Sequence, residues 1–439
     1  MKKILLAGLL LCAMQTHAAD LVTVYRDAAA TNPQLAAAAA RLEAVREARP
    51  QARAGLLPNI DLLGTLDRTR RKSVNPSQPA TYSTDKLASI NLNQPLFRYD
   101  RWIQLQQADS RIATAAAEYE AARQELMLLV AERYFGILEA QANLEFAQAE
   151  KSAIGRQLEQ AQQRFEVGLI AITDVKAAQA RYDLSVSQEI RAASDVQQAR
   201  DALHQVTGRF YPQIAPLRDD LLLARPQPDS ADSWIEGARE QNLRVLAAAA
   251  AAETARQEMR VQRSGHLPTL DFNASASYFD NNFGGIAPVE RQDSSIGLEL
   301  NLPIYEGGTV TSQTREARHR FQESTELLQE QVRQAEFQTR DAFRGILTDI
   351  AQINALEASL QSTEIAVEAE QAGFEVGTRT IVDVLNAQRE YHSALFNFAA
   401  ARYQYVLDQL RLKNAAGILS PDDLHEVNDV LGPEPAVDD

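Results

Sequence analysis

Cysteine is almost absent from this chain of 439 residues. The single cysteine, Cys12, lies in an N-terminal segment with a basic start, an apolar run over residues 4–11 and small residues at its end, which are the features of a secretory signal. Cys12 follows Leu11, whereas a lipid-modified cysteine normally follows a small residue. We therefore expect residues 1–18 to be removed as a signal peptide. The mature chain would then have no thiol, which excludes disulfides, zinc–thiolate sites and a cysteine nucleophile.

Long hydrophobic runs and excess positive charge are also missing. Beyond residue 18, no stretch of roughly 18 apolar residues predicts a membrane-spanning helix. The net charge of −15 includes Lys2 and Lys3, so the mature chain carries −15 − 2 = −17. A surface of that charge repels nucleic-acid phosphates, and we find no basic stripe that would offset it. The sequence therefore argues against a nucleic-acid partner.

Patterns that carry chemistry are scarce as well. The histidines of the mature chain are scattered without the spacing of a zinc helix, and the Gly307-Gly308 pair lacks the rest of a phosphate-binding fingerprint. No nucleophile elbow or Walker loop is present. We therefore predict no metal, no cofactor and no enzymatic activity.

The second half of the sequence restates the first. The segment Phe-Glu-Val-Gly at 165–168 returns at 374–377, and 374 − 165 gives an offset of 209. The segment that begins Leu57-Pro58 returns at Leu267-Pro268, at an offset of 210. Such a repeat indicates that one supersecondary unit was duplicated.

The repeat predicts how the mature chain is divided. We expect a first structural repeat over 19–210, an inter-repeat spacer over 211–231 and a second repeat over 232–423. Residues 424–439 are acidic and contain two prolines, which predicts a disordered tail.

Each repeat contains a predicted pair of strands. Leu270, Phe272 and Ala274 alternate with polar residues, and a similar alternation follows near residues 295–302 and, more weakly, near residues 60 and 90. A period of two with one apolar face is typical of membrane-barrel strands. A soluble sandwich with one wet face is the alternative. Four strands cannot close a barrel in lipid, because open edges leave backbone groups unpaired. Two protomers would supply eight strands and three would supply twelve.

The remainder of each repeat is rich in helix-forming residues. Opening helices are predicted over 20–54 and 232–264, and return helices over 172–206 and 380–415. Between them, long helices are predicted over 101–167 and 309–376. A helix of about 65 residues would extend roughly 100 Å, which favours a coiled-coil-like assembly.

The chain resembles the TolC family of outer-membrane efflux and secretion channels. The resemblance rests on residues 377–385 (Gly-Thr-Arg-Thr-Ile-Val-Asp-Val-Leu), 168–175, 265–271 and 302–308. It implies a fold of mixed α and β structure: a homotrimer with a shared 12-stranded outer-membrane β-barrel, four strands per protomer, and a long α-helical barrel of antiparallel coiled coils. It also implies a channel in the outer membrane with a periplasmic helical extension. Its partners would be membrane lipid, a periplasmic adaptor and an inner-membrane transporter that opens the closed end.

The same resemblance assigns roles at the helix tips. Gly168 and Gly377 would form the tip turns, since glycine tolerates a positive φ. Arg379 would latch onto Thr173 and Asp174 of a neighbouring protomer. The remaining implied site is a carboxylate ring at the pore constriction, formed by Asp383. Without the resemblance, these residues read as helix caps and solvated charges.

Two positions depart from the family pattern. Phe374 stands where the family usually has a tyrosine that bonds within the protomer, and Asn386 stands where it usually has a second aspartate. These departures predict a weaker latch and a milder block by divalent cations. The rival interpretation of the whole chain is a periplasmic adaptor or coiled-coil scaffold that forms no pore, which would explain the helices but not the strands.

Overall fold

The computed structural model describes residues 18–74, 76, 79–283 and 289–432. The predicted signal peptide, apart from Ala18, and the end of the predicted tail from residue 433 lie outside the described residues. In chain order the elements are α1 (Leu21–Thr31), α2 (Pro33–Arg46), α3 (Ala48–Ala54), β1 (Asn59–Arg71), β2 (Thr81–Phe97), α4 (Tyr99–Glu166), α5 (Ile172–Thr207), α6 (Ala231–Gln241), α7 (Leu243–Arg263), β3 (Thr269–Phe283), β4 (Val289–Asn301), α8 (Thr309–Glu375), α9 (Ile381–Ala415) and α10 (Pro421–Asp429).

The long helices and the return helices follow the predicted bounds closely. Helix α4 contains 68 residues and α8 contains 67, while α5 and α9 contain 36 and 35. Each boundary lies within two residues of the prediction. None of the helices in the described ranges is both long enough and apolar enough to cross a bilayer.

The opening helices differ from the prediction, because each is interrupted by an asparagine. Asn32 separates α1 from α2 and Asn242 separates α6 from α7, and both have extended backbone angles. The Asn32 Oδ1 accepts hydrogen bonds from the backbone N–H groups of Gln34 and Leu35, at 2.9 and 3.1 Å. A side chain that caps the following helix competes with continuation of the preceding one. The single helices expected over 20–54 and 232–264 are therefore wrong.

The two asparagines also make equivalent contacts across the repeat. The Asn32 amide donates to the carbonyl of Val206, at 3.2 Å, and the Asn242 amide donates to that of Ala415, at 2.9 Å. Both asparagines are buried, and their acceptors lie at the C-termini of α5 and α9. Each break therefore satisfies a helix-terminal carbonyl that would otherwise be unpaired.

The four strands pair as predicted and join the two halves. The described residues form one antiparallel sheet in the order β1-β2-β3-β4. Strand β2 of the first half pairs with β3 of the second, with Asn93 opposite Asn273. Strands β1 and β4 are the edges of this sheet.

One face of the sheet is polar and internally bonded. The Asn93 amide donates to Asn273 at 2.7 Å, and the Asn273 amide donates to Glu299 at 3.0 Å, so the bonds continue across three strands. Ser275 and Ser295 share a hydrogen bond of 2.8 Å on the same face. The alternation in sequence therefore places polar residues on one face of the sheet, where their side chains form hydrogen bonds with one another.

The opposite face of the sheet carries bare aliphatic side chains. Leu62 on β1 is 81% exposed and Ile296 on β4 is 78% exposed. The same face also carries Ile60, Leu66, Ile90, Leu298 and Leu300, all exposed. A contiguous exposed apolar surface marks a contact with protein or lipid.

The C-terminal segment is ordered further than predicted. Helix α10 begins at a Ser420–Asp423 capping box, and Leu424 is completely buried. Leu424 and Val427 are buried on one face of α10, and Leu431, which follows the helix and pairs with Leu217, is buried too. Lys413 Nζ lies 2.6 Å from the Asp423 carboxylate. The disorder expected from residue 424 onwards is therefore wrong for residues 424–432.

Asp349 of α8 is a carboxyl group buried among other charges. Burial, followed by the adjacent Asp408 carboxylate, raises the pKa of Asp349 to about 7. Asp408 accepts a hydrogen bond of 2.9 Å from Arg411, which also donates to Glu132 at 2.9 Å. Arg411 is thus paired with Asp408 and Glu132, and its charge offsets only part of the effect of burial and of Asp408, so the protonated form of Asp349 is favoured.

Among the glycines that the structure describes, Gly417 has the least room for a side chain. Its φ of +79° is unfavourable for other residues, and a Cβ there would lie 2.2 Å from the carbonyl oxygen of Gln241. Gly208, at the equivalent end of the first half, has a φ of +67°, but its nearest neighbour would be 3.9 Å away. Substitutions at these two glycines therefore distinguish the cost of a left-handed backbone from the cost of steric overlap.

We predict that Gly417→Ala destabilises the protein more than Gly208→Ala. The Gly208 variant should lose about 1–2 kcal/mol from the left-handed backbone alone. The Gly417 variant should lose more, because the Gln241 carbonyl must also move. Thermal unfolding of the two variants measures the difference, and equal midpoints would show that the overlap has no effect.

We also predict that unfolding depends on pH through Asp349. Because its folded pKa is raised, the folded state holds the proton more tightly, so stability should fall as the pH rises from about 4 to about 7. Asp349→Asn should flatten this slope and raise the unfolding midpoint at pH 8. Asp341→Asn, an exposed site on the same helix, is the control. A slope that persists unchanged in Asp349→Asn would contradict the assignment.

Candidate functional site

The helix tips are built on two glycine turns, one in each half. Gly168 has a φ of 77° and Gly377 a φ of 78°, as the sequence analysis predicts. After each glycine, a backbone N–H returns to the last helical turn: Leu169 donates to Arg164 at 2.8 Å and Thr378 donates to Gly373 at 2.9 Å. These bonds satisfy carbonyls at the helix C-termini while the chain reverses.

Asp383 occupies the start of α9 in a reciprocal cap. The Thr380 N–H donates to Asp383 Oδ2 at 2.9 Å, and the Asp383 N–H donates to Thr380 Oγ1 at 3.3 Å. The Thr380 hydroxyl, with the backbone bond, lowers the pKa of Asp383 below its usual value, and the positive charge of Arg379 adds to this. The carboxylate is therefore ionised at neutral pH and held in one orientation.

The start of α5 lacks this device. Ala171 occupies the N-cap position and makes no side-chain capping bond. Thr173 is exposed and Asp174 is partly exposed. Within the described part of the chain, no hydrogen bond or ion pair is made by the side chain of either residue. Both are therefore accessible to a group from outside the protomer.

Arg379 lies along the last turn of α8. Its Nε is 3.3 Å from Oε2 of Glu370, a buried oxygen that accepts no hydrogen bond. Gly373 makes this position possible, because a Cβ there would lie 2.6 Å from the Arg379 side chain. Among the described residues of one protomer, Arg379 therefore pairs with Glu370 and forms no hydrogen bond or ion pair with Thr173 or Asp174. Glu370 and Gly373 are not predicted from the sequence, in which a glycine near the helix end is their only signal.

Phe374 anchors the tip from inside. It is buried in a cluster with Ile154, Ile381, Val384 and Leu385. The Arg164 guanidinium lies 4.2 Å from the centre of the Phe374 ring, a cation–π distance. Phe374 thus supports the turn by apolar packing, without a hydroxyl.

Asn386 lies one turn after the Asp383 cap. Its Oδ1 accepts a hydrogen bond of 3.5 Å from Arg181 of α5. This contact links the two return helices near the tip. A neutral acceptor opposite an arginine is a weaker partner than a carboxylate.

Comparisons with known proteins all identify outer-membrane efflux and secretion proteins as similar to this chain. The model of the family described as outer membrane efflux protein matches residues 24–209 and 234–418. Outer membrane protein TolC of Vibrio cholerae is 39% identical over 415 residues, which cover 94% of this chain and 93% of that protein. The alkaline protease secretion protein AprF of Pseudomonas aeruginosa is 29% identical, covering 98% of this chain and 91% of that protein.

A solved structure confirms the fold. The outer membrane protein VceC of Vibrio cholerae superimposes with a TM-score of 0.77 at 21% identity, covering 90% of this chain and 96% of that one. Each matched family segment contains one tip turn, Gly168 or Gly377. Each segment also ends near the C-terminus of its return helix, at Gly208 or Gly417. The chain belongs to the outer membrane efflux protein family, and it is an outer-membrane channel protein with a periplasmic helical tunnel.

Proposed function

We propose that three copies of this chain form a conduit that exports drugs and proteins across the periplasm and outer membrane. The sheet with two open edges carries this proposal. Its bare aliphatic face suits lipid and its bonded polar face suits a water-filled lumen. Three sheets would supply twelve strands and pair every edge. The adaptor or scaffold alternative is not favoured, because the family and the amphipathic sheet both indicate a channel.

The conduit works with an inner-membrane transporter and a periplasmic adaptor. AprF is named for protease secretion, which supports protein cargo for a chain of this kind. Docking of the transporter and adaptor opens the closed periplasmic end. The two-repeat organisation, 19–210 and 232–423 with the spacer 211–231, gives each protomer two helix tips at that end.

The closed state depends on contacts between tips of different protomers. Arg379 of one protomer bonds to Thr173 and Asp174 of the next, in exchange for its ion pair with Glu370. Three facts support this latch: Arg379 is half-exposed, its ion pair with Glu370 at 3.3 Å includes no hydrogen bond, and the side chains of Thr173 and Asp174 are accessible. Asp383 faces the pore, where its capped and ionised carboxylate forms a ring of three.

Arg379→Ser should raise the resting conductance of the channel. Each charge-assisted bond lost is worth roughly 1.5–3 kcal/mol, and three symmetric copies lose it together. Single-channel recording in planar bilayers measures the effect. Arg156→Ser removes the same charge from an exposed site on α4 and should leave conductance unchanged. A closed channel in the Arg379 variant would remove this residue from the latch.

Block by divalent cations should be mild in this protein and should strengthen in Asn386→Asp. The substitution adds three carboxylates next to the Asp383 ring, which raises the local cation affinity. Asp383→Asn should abolish the block. Because the pKa of Asp383 is lowered, the block should persist unchanged from about pH 8 to about pH 5.

Titration of single-channel current with Mg²⁺ tests these expectations. Asn397→Asp is the matched control: it is the same substitution, on the same helix, eleven residues and about 16 Å further from the tip. Strong block of the unaltered channel at low concentration, or equal effects of the two Asn→Asp variants, would contradict the assignment of Asp383 and Asn386.

A further inference from the structure

A dense group of cations lies at the end of β1. Arg68, Arg70, Arg71 and Lys72 fall within five positions, although the chain as a whole is strongly acidic. The sequence analysis found no basic stripe, because averaging over the chain conceals so short a run. These four residues are here called the β1 basic cluster.

The strand register places two of these cations on the apolar face. Ile60, Leu62 and Leu66 of β1 lie on one face, and side chains two residues apart share a face. Arg68 and Arg70 therefore continue the aliphatic row, whereas Arg71 belongs to the polar face. Tyr82 lies opposite Arg70, and the Arg68 guanidinium is 6.0 Å from the centre of its ring.

The cations of this cluster lack counter-charges of their own. In the described ranges, no carboxylate lies within ion-pair distance of Arg68, Arg70, Arg71 or Lys72. Lys86, on the same face of β2, is by contrast paired with Asp280 at 2.9 Å. Unpaired guanidinium groups at the border of a lipid-facing surface need an anion nearby.

The position of the cluster along the strand identifies the membrane surface that it meets. The aliphatic row from Ile60 to Leu66 spans about 20 Å, beginning at the helix end of the sheet. Because the helices are periplasmic, Arg68 and Arg70 lie at the outer end of the row. Tyr82, 51% exposed at the same level, is an aromatic residue of the kind that borders an outer-membrane barrel.

We propose that Arg68 and Arg70 bind the phosphate groups of a phosphorylated glycolipid in the outer leaflet. A guanidinium matches the geometry of phosphate with two parallel N–H donors. The acyl chains of the same lipid would cover the adjacent Leu62 and Leu66. Headgroup and chains are thus recognised by one continuous strip of β1.

Pairing between protomers leaves this strip accessible. Edge pairing uses the backbone of β1, so the outward face of the strand stays in lipid. Glu290 of β4, which lies opposite Asp280, is the carboxylate that a neighbouring copy would bring nearest along the same face. One carboxylate per junction cannot neutralise two cations, so the glycolipid is favoured over the neighbour.

The experiment uses the full-length protein in nanodiscs of phosphatidylcholine that contain lipid A, in its bis-phosphorylated or its dephosphorylated form. Native mass spectrometry counts the lipid A molecules bound per protomer. The double variant Arg68→Gln/Arg70→Gln should retain at most a tenth of the lipid A bound by the unaltered protein, because it loses two charge-assisted contacts. Arg71→Gln is the matched control on the opposite face and should bind normally.

The outcomes separate the possible sources of the anion. Dephosphorylated lipid A should bind no better to the unaltered protein than to the double variant, and millimolar inorganic phosphate should not displace the phosphorylated form. Displacement by inorganic phosphate, equal losses in Arg71→Gln, or equal binding by all variants would overturn the proposal. The proposal would also be overturned if the double variant failed to assemble in detergent without glycolipid and Glu290→Gln had the same effect. The cluster would then mediate contacts between copies.

This inference depends on the proposed channel in one respect: the apolar face of the sheet must point outward into lipid. Conductance of the double variant in bilayers without glycolipid is therefore recorded in parallel. A normal channel that fails to bind lipid A rejects the glycolipid site alone. A protein that forms no channel, with or without the substitutions, rejects the proposed function instead.

Discussion

The need to pair the two open edges of the sheet determines how this protein must assemble. A strand edge that faces hydrocarbon leaves backbone N–H and C=O groups without partners, at several kcal/mol each. The sheet formed by the described residues has β1 and β4 as such edges, and its aliphatic face makes water an equally poor surrounding. Association of copies edge to edge resolves both problems together. In the proposed assembly, the oligomer is therefore a requirement of the fold.

The duplication extends to contacts that a sequence comparison does not reveal. Asn32 and Asn242 interrupt their helices and bond to the ends of α5 and α9 in equivalent ways. The tips differ more: α9 begins with the Thr380–Asp383 cap, whereas α5 begins without a side-chain cap. One copy of the tip is thus internally satisfied, and the other presents Thr173 and Asp174 to the outside. The proposed latch between unlike tips of neighbouring protomers would use this asymmetry.

Long-period patterns predict this fold well, and single side-chain contacts escape prediction. Sixty-residue helical runs and strict strand alternation each average over many residues, so the bounds of α4 and α8 are predicted within two residues. Gly377 at the tip is predictable because a reversal after a helix requires a positive φ. The role of Gly373 depends on where Arg379 lies across the turn, which local sequence does not encode. Similarly, α10 forms because Leu424 finds a buried site, while its composition indicates disorder.

Covalent capture of the junction between protomers tests the central claim most directly. The single cysteine, Cys12, lies in the predicted signal peptide, so one cysteine replacing Leu62 on β1 can be combined in turn with one replacing each residue from 294 to 300 on β4. The account predicts that at least one pair in this scan forms a disulfide between chains in the outer membrane, and that the ladder of cross-linked species ends at three chains. Cross-linked species that continue beyond three chains, or chains that stay uncoupled throughout the scan, would contradict the shared cylinder.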